Sequence, residues 1–316
     1  MSGSALSTGA ALLAPLGKEM IVARGADRVR FLHGVVTGDV AGTPQGGGVH
    51  ALLLTPKAHV LSEMRIFVRE NELYLVVAAG QGAETAAALS RYAVMDDFTA
   101  EVAPDFQMIA MLGPDAATRL GALGLPAGAL AEKNLWSHVG TGDAWLVRVE
   151  QLGVAGFWIG GSASEIARVG AALTAAGTAP LSPALAEAAR IAAGEPAWGQ
   201  EITDEFFPME IGLGDAIDYR KGCFLGQEPI VRIRDRGHTN WRLARIALPE
   251  GARPDAGDRL ESDLKPKAGK LTSVATGPDG RTVALGVVHV GVPEGASVRV
   301  VGASGIVTAT VHETSS

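Results

Sequence analysis

The residues best suited to chemistry lie in one stretch of the chain, from Tyr219 to Arg245. It contains the segment Lys221–Glu228, whose sequence is KGCFLGQE and which holds the only cysteine of the 316 residues. The stretch carries seven cations against two carboxylates, whereas the whole chain has a formal charge of −7. A basic segment in an acidic protein predicts an anion site, because the remaining surface repels the same ligand. The alternative is a solvated face of ion-paired arginines.

Cys223 is a candidate nucleophile or redox thiol, because it lies two residues after Lys221 and positive charge favours the thiolate form. The alternative is a buried small apolar side chain, which is common for a free cysteine. Gly222 and Gly226 favour the functional interpretation, since glycines beside a helix start allow close backbone approach and expose N–H groups to anions. A cysteine-protease arrangement would also need a histidine base, and nothing in the sequence places His238 there.

Glu210 and Arg190, which both precede this segment in the chain, are candidate ligand contacts. Glu210 lies among apolar residues and follows Pro208, so its carboxylate could bind an amidine-like heterocycle edge through paired hydrogen bonds. The alternative is an exposed loop glutamate. Arg190, near the end of a helix predicted over Pro183–Ala193 and ended by Gly194, could contact a ligand or act as an ordinary cation at a helix C-terminus.

Composition excludes several other classes of function. The net negative charge argues against duplex nucleic acid or an anionic membrane as the main partner. A single cysteine excludes an intrachain disulfide and a cysteine-cluster zinc site, and the seven histidines show no metal-binding spacing, so we expect no metal. The N-terminus lacks the basic region of a signal peptide and is too short to span a membrane. A cytoplasmic protein is therefore expected.

The elements that position these residues indicate an α+β fold with two domains. Helical spacing predicts a helix over Gly25–Val40, and three apolar or alternating runs predict antiparallel strands. From Trp241 onward, short strands separated by Gly, Pro and Asp turns predict a small closed β-barrel. The strands and helices do not alternate regularly, which argues against a Rossmann sheet. We therefore predict a first region over residues 1–239, made of two intertwined α+β lobes, and a barrel domain over residues 240–316.

The segment Lys221–Glu228 resembles the K-G-C-[FY]-x-G-Q-E signature of the YgfZ family of folate-binding proteins, relatives of the glycine-cleavage T-protein (aminomethyltransferase). Weaker matches occur in the expected order along the chain. The segment Phe31–Val40 resembles the family's F-L-Q-G-x-x-T-N-D-V, Thr55–Lys57 stands where a Pro-containing turn is usual, and Pro208–Glu210 resembles the T-protein's P-x-E. The resemblance spans roughly residues 25 to 245.

This resemblance implies a three-lobed α+β body that binds tetrahydrofolate or a one-carbon derivative of it, followed by the barrel. By matched position, Glu210 would hold the pterin and the basic segment would meet the glutamate tail. Cys223 is the implied working thiol, with Lys221 as a second catalytic candidate. The predicted folate-binding residues are Arg190, Glu210, Gly222, Gly226, Gln227, Glu228 and Arg232.

The resemblance also implies a role in the assembly or repair of iron–sulfur proteins, with client or assembly proteins as partners. Because one thiolate cannot supply the usual four ligands of a cluster, a partner or a thiol cofactor would complete them, and a mixed disulfide is equally consistent. The T-protein's catalytic aspartate falls at Ser62 or Glu63, depending on a one-residue alignment choice. A serine there favours the accessory role, whereas Glu63 keeps open a folate-dependent aminomethyl or methyl transferase.

Overall fold

The computed structural model describes residues 6–277 and 279–314, and the chain divides into two compact units. Unit 1 comprises the chain up to Pro56 with Leu61–Leu181 and Ala216–Gln227, and unit 2 comprises Lys57–Val60, Ser182–Asp215 and Glu228 to the C-terminus. Each unit is therefore built from separate stretches of the sequence. The sequence predicted two domains that are each continuous in the chain, with a boundary between residues 239 and 240. That division stays a prediction.

Seventeen strands and seven α-helices make up the elements used below, all within the described residues. The strands are β1 Ala11–Leu13, β2 Lys18–Arg24, β3 Gly48–Leu54, β4 Val60–Val68, β5 Leu73–Ala78, β6 Thr99–Val102, β7 Phe106–Leu112, β8 His138–Thr141, β9 Ala144–Gln151, β10 Val154–Ser162, β11 Ala179–Pro180, β12 Trp241–Ala247, β13 Arg259–Glu261, β14 Gly269–Thr276, β15 Thr282–His289, β16 Ser297–Gly302 and β17 Gly305–Glu313. The helices are α1 Arg28–Val35, α2 Gly82–Tyr92, α3 Ala116–Ala122, α4 Ala127–Ala131, α5 Ala163–Ala175, α6 Pro183–Ala193 and α7 Gln227–Arg236.

A five-stranded sheet in unit 1 has the strand order β3-β4-β5-β2-β6. Successive side chains of a strand point to opposite faces, and β4 follows this rule closely. Ser62, Met64 and Ile66 are fully buried, and the last two pack in one hydrophobic core with residues of α1 and α2. Glu63 and Arg65 are half-buried on the opposite face. The sheet therefore presents an apolar face to its helices and a partly polar face away from them.

A six-stranded sheet, also in unit 1, has the order β11-β1-β7-β10-β9-β8. Its pairs are antiparallel except for β1 and β11, which run parallel. Buried residues of β7, β9 and β10 form a second core with α3, α4 and α5. Helix α5 begins after Ser162, whose side chain accepts a hydrogen bond from the backbone N–H of Glu165, as is typical of an N-cap serine.

Unit 2 contains a closed barrel with the strand order β12-β15-β14-β13-β16-β17. Apolar side chains fill its interior, among them Ile246, Leu271 and Val298. Helix α6 packs against β14 and β15, and the 3₁₀ helix Pro208–Ile211 packs against β12. Helix α6 starts at the N-cap Ser182 and ends at Gly194, whose φ of 79° is a left-handed conformation that favours glycine.

The sequence patterns predicted the barrel and helix α6 correctly, and the helix over Gly25–Val40 was predicted too long. Helix α1 ends at Val35 because Val36 is extended, with ψ of 165°. Beyond it, Gly38 packs so closely on β3 that a Cβ there would lie 2.6 Å from the carbonyl oxygen of His50. Strand β2 lies inside the five-stranded sheet and was not predicted. None of the described helices has both the length and the apolar character needed to cross a membrane.

Candidate functional site

The side chain of Lys221 anchors the signature segment to the end of helix α1 in unit 1. Its ammonium donates hydrogen bonds to three backbone carbonyls, those of His33, Val36 (2.6 Å) and Gly38 (3.1 Å). Burial lowers the pKa of Lys221 to about 8, while the charges of Asp39 and Asp218 oppose that shift. An ammonium has three donors, so all of them are used. The contacts favour a positioning role for Lys221, and its catalytic role stays a prediction.

Thr37, in the motif Phe31–Val40, forms hydrogen bonds to residues that lie shortly before the signature segment Lys221–Glu228. Its buried hydroxyl donates to the carbonyl of Ala216 at 2.6 Å and accepts from the N–H of Leu52 at 2.8 Å. The carbonyl of Thr37 accepts a hydrogen bond from the backbone N–H of Asp218 at 3.0 Å. Further along, the N–H of Leu225 donates to the carbonyl of Val35 at 3.4 Å. The structure therefore brings together the motif around residues 31–40 and the segment before Glu228, which are far apart in the sequence.

Cys223 is exposed to solvent in this anchored loop. The alternative of a buried small apolar side chain is therefore wrong. The neighbouring Phe224 is buried, and the Lys221 ammonium lies 5.7 Å from the centroid of its ring. Because the three donors of Lys221 already serve backbone carbonyls, none remains to bind a thiolate at Cys223. The arrangement presents a free thiol on a loop that is held at both sides.

The two glycines of the signature differ in their conformational need. Gly226 has a φ of 76°, a left-handed conformation that favours glycine. Gly222 has no such φ, and a Cβ built on it would meet nothing within 4 Å. The backbone conformation therefore favours glycine at position 226, whereas position 222 has room for a side chain. Gln227 is half-buried at the first position of helix α7, and the folate contacts predicted for Gly222, Gly226 and Gln227 stay predictions.

Much of the basic stretch is engaged in ion pairs at the surface. Glu228 and Arg232 form an exposed pair one helical turn apart, at 2.8 Å. Arg234 pairs with Asp235 in the same helix, and Arg220 lies 3.5 Å from Asp218. The alternative of a solvated, salt-bridged face describes this part of α7. A ligand could still recruit Glu228 or Arg232, because exposed pairs are weak, and their folate contacts stay predictions.

The carboxylate of Glu210 is buried in unit 2, so an exposed loop glutamate is not what the structure contains. One oxygen accepts from the N–H of Phe207 at 3.0 Å, and the other accepts from Asn240 at 3.1 Å and Trp241 at 3.3 Å. A carboxylate has about four acceptor positions. Three are filled here, so paired hydrogen bonds to a pterin edge cannot form without displacing a backbone donor. A single hydrogen bond to Glu210 stays a prediction.

Arg190 occupies a buried network in unit 2 and does not present its guanidinium to a ligand. It is 9% exposed. It donates to Glu187, the carbonyl of Glu195, Gln200, Glu201 and Ser273. Since a guanidinium has five N–H donors, none is left over. The predicted cofactor contact for Arg190 is therefore corrected to a structural role, in which it neutralises the fully buried Glu201.

The positions matching the T-protein aspartate point to opposite faces of β4. Ser62 is fully buried and accepts a hydrogen bond from the hydroxyl of Thr85 at 2.8 Å. Glu63 contacts the guanidinium of Arg65 and lies 2.9 Å from the Nε2 of His50. Burial would raise the pKa of Glu63, but Arg65 and His50 hold it well below its usual range. Glu63 is thus an ionised carboxylate with two fixed partners.

His50 and Arg65 were not predicted as part of any site. Burial, followed by the charge of Arg65, lowers the pKa of His50 to about 4, so this imidazole is neutral near pH 7. The Arg65 guanidinium also lies 4.7 Å from the ring centroid of Trp136. The alternation of β4 placed Glu63 and Arg65 on one face and could have indicated their pairing. His50 comes from β3, and no local pattern pointed to it.

Comparison with known proteins gives concordant matches. A family model described as the GCVT N-terminal domain matches residues 13–221. A chloroplastic protein of Arabidopsis thaliana whose name suggests a transferase is 28% identical over 269 residues, which are 81% of this chain and 60% of that protein. The aminomethyltransferase of Rubrobacter xylanophilus is 26% identical over 224 residues, 68% of this chain and 59% of the relative. The chain thus spans about three fifths of the length of these two relatives.

The fold has a close counterpart among solved structures. The glycine cleavage system aminomethyltransferase T from Bartonella henselae superposes with a TM-score of 0.86 at 23% sequence identity, covering 96% of this chain and 85% of that chain. This likeness confirms the predicted α+β fold with its C-terminal barrel.

Proposed function

The chain belongs to the family defined by the GCVT N-terminal domain, and from that premise we propose that it binds tetrahydrofolate and acts through Cys223 as an accessory protein in the assembly or repair of iron–sulfur enzymes. The observation that carries the proposal is the exposed thiol of Cys223 on a loop that Lys221 ties to three carbonyls. A thiol that must meet a partner has to be exposed, and a fixed loop presents it in one position.

The residues present can hold tetrahydrofolate, but with fewer hydrogen bonds than the sequence predicted. Glu210 keeps one of about four acceptor positions, which can accept one N–H of the pterin. Gly222, Gly226, Gln227, Glu228 and Arg232 remain the proposed contacts to the rest of the folate, and Arg190 is omitted because its donors are used. The folate would supply one-carbon chemistry, and the protein's own contribution would be binding and presentation of the thiol.

The accessory role is tested in cells that depend on this chain. We expect Cys223→Ser to lower the activities of iron–sulfur enzymes to the level of a strain without the protein, because the exposed thiol is the working group. The control is Ser7→Ala, which changes a small side chain at an exposed position outside the signature segment. Protein levels and tetrahydrofolate binding should be unchanged in both strains. Normal iron–sulfur enzyme activities in the Cys223→Ser strain would contradict the role of the thiol.

A transferase of the T-protein type is the second candidate function, supported by the ionised Glu63 and by aminomethyltransferases among the relatives. A carboxylate at this position could handle the transferred amine. The test is release of ammonia from an aminomethylated carrier protein in the presence of tetrahydrofolate. The transferase predicts release that is lost in Glu63→Gln and kept in Cys223→Ser. The accessory role predicts no release above a buffer control while an authentic aminomethyltransferase is active in parallel.

The partners and location follow from the same proposal. We propose iron–sulfur client or assembly proteins as partners, because one thiolate needs other ligands to hold a cluster. A cytoplasmic location is proposed because an exposed single thiol stays reduced there.

A further inference from the structure

A groove with a volume of about 520 Å³ lies on the barrel of unit 2. Its walls come from strands β12 to β15 and from the chain just before the 3₁₀ helix Pro208–Ile211. We refer to it as the barrel groove and define it by Phe206, Trp241, Arg259, Lys267 and Lys270. Its volume falls within the range of about 300–1,000 Å³ that small-molecule sites occupy.

The strand register determines which barrel residues share the outer face with the groove residues Val287 and Lys270. Val287 pairs across the sheet with Lys270 on one side and Leu243 on the other. Paired residues share a face, so all three lie on the same face of the barrel strands. The next residue, Val288, belongs to the interior core, which assigns the face of Val287 to the outside. Phe206 lies beside this row, with the Lys270 ammonium 5.6 Å from its ring centroid.

Trp241 is held in place before any ligand arrives. Its indole contacts the ring of His289 edge to face, at 5.5 Å and 77°. Its backbone N–H donates to the buried carboxylate of Glu210 at 3.3 Å. An aromatic wall that is already fixed loses little conformational freedom on binding. Trp241, which is half-buried, therefore offers a preorganised surface for a flat ring, whereas Phe206 lines the groove but is only 7% exposed.

The rim of the barrel groove carries two cations without internal partners. Lys270 pairs with Glu205, and Glu261 lies 3.9 Å from Arg299. The side chains of Arg259 and Lys267 are exposed, and neither forms an ion pair or a hydrogen bond within the described residues. Unpaired cations beside a fixed aromatic surface favour a ligand that is flat and negatively charged.

We propose that the barrel groove binds a planar aromatic acid. The ring packs against Trp241, and the carboxylates meet Arg259 and Lys267. This chemistry has two sources: the aminobenzoyl-glutamate arm of a folate, which would then lie in the barrel groove and not on the signature segment, and a free aromatic carboxylic acid. The site stands on the groove itself and does not depend on the proposed function in iron–sulfur maturation.

The probe for this site is 4-aminobenzoyl-L-glutamate, titrated calorimetrically into the full chain. The wild type should bind it saturably. The double variant Arg259→Glu, Lys267→Glu should bind at least tenfold more weakly, because both rim cations are reversed while their exposure leaves the fold intact. The matched control is Lys133→Glu, Arg281→Glu, which makes the same change of charge at exposed positions that do not line the groove. Its affinity should stay within twofold of the wild type.

The two sources are separated by repeating the titration with tetrahydrofolate present. Displacement of the probe assigns the groove to the folate arm, and unchanged affinity assigns it to a free acid; either result keeps the groove as a site. Absence of saturable binding to the wild type at millimolar probe would overturn the inference. Equal weakening in the double variant and its control would overturn it as well. Folate binding by the chain can persist in both of these cases, so the proposed function fails separately.

Discussion

Replacing Lys221 by methionine removes the ammonium that joins the signature segment to helix α1. The methionine keeps a flexible apolar stem of similar length, but three carbonyls lose their donor. A net hydrogen bond contributes about 1 kcal/mol, and more when the donor is charged. Burial of that charge offsets part of the gain, as the lowered pKa of about 8 for Lys221 indicates. We expect a loss of about 3 kcal/mol in the free energy of unfolding of unit 1.

Urea unfolding measures this loss, and amide hydrogen exchange localises it. The N–H groups of Asp218 and Leu225 bond to the carbonyls of Thr37 and Val35, so their exchange should accelerate in Lys221→Met. The matched control is Lys133→Met, since Lys133 is exposed in the same unit. If both variants unfold at the same urea concentration and the two amides keep their protection, the anchoring role of Lys221 is refuted.

Three further predictions test other parts of the two units. In Gly38→Ala the new Cβ would meet the carbonyl of His50 at 2.6 Å, so urea unfolding should show a loss of about 1–3 kcal/mol; wild-type stability would contradict the close packing. Burial lowers the pKa of His50 and His138 to about 4, against about 6.5 when unfolded. The unfolded chain then binds more protons, stability should fall from pH 6.5 to pH 4, and His50→Gln should fall less steeply in thermal scans, whereas identical slopes would refute this. Arg190→Met leaves Glu201 buried without its cation, so denaturant unfolding should reveal a loss of about 3–5 kcal/mol; weaker folate binding at unchanged stability would instead restore Arg190 as a cofactor contact.

Local patterns were sufficient for the elements whose causes are local. Helix α6 was predicted over its full length because Pro183 and Gly194 mark its two ends. The barrel was predicted because short strands recur between turn residues, and the observed strands close into a ring. The family signature and its order along the chain led to the fold that the Bartonella henselae protein shares.

The roles of individual polar side chains depended on partners that are distant in the sequence. Lys221 meets carbonyls about 185 residues earlier in the chain, and Arg190 meets Ser273 across 83 residues. Nothing beside Arg190 indicates that five acceptors will surround it. His50 and Glu63 meet only because β3 and β4 are neighbours in the sheet. Burial and pairing of this kind arise from the tertiary fold, so the sequence pointed to Lys221, Arg190 and Glu63 but not to the partners that they contact.

The most direct test of the folate assignment is a calorimetric titration of the full chain with tetrahydrofolate. We expect saturable binding to the wild type and equal affinity in Cys223→Ser, because the thiol is not needed to hold the folate. Glu210→Gln should bind at least tenfold more weakly, since the NH2 group of the amide cannot accept a hydrogen bond and only one accepting oxygen remains for the backbone donors and the pterin. Absence of saturable binding to the wild type would contradict the proposal that this chain binds tetrahydrofolate.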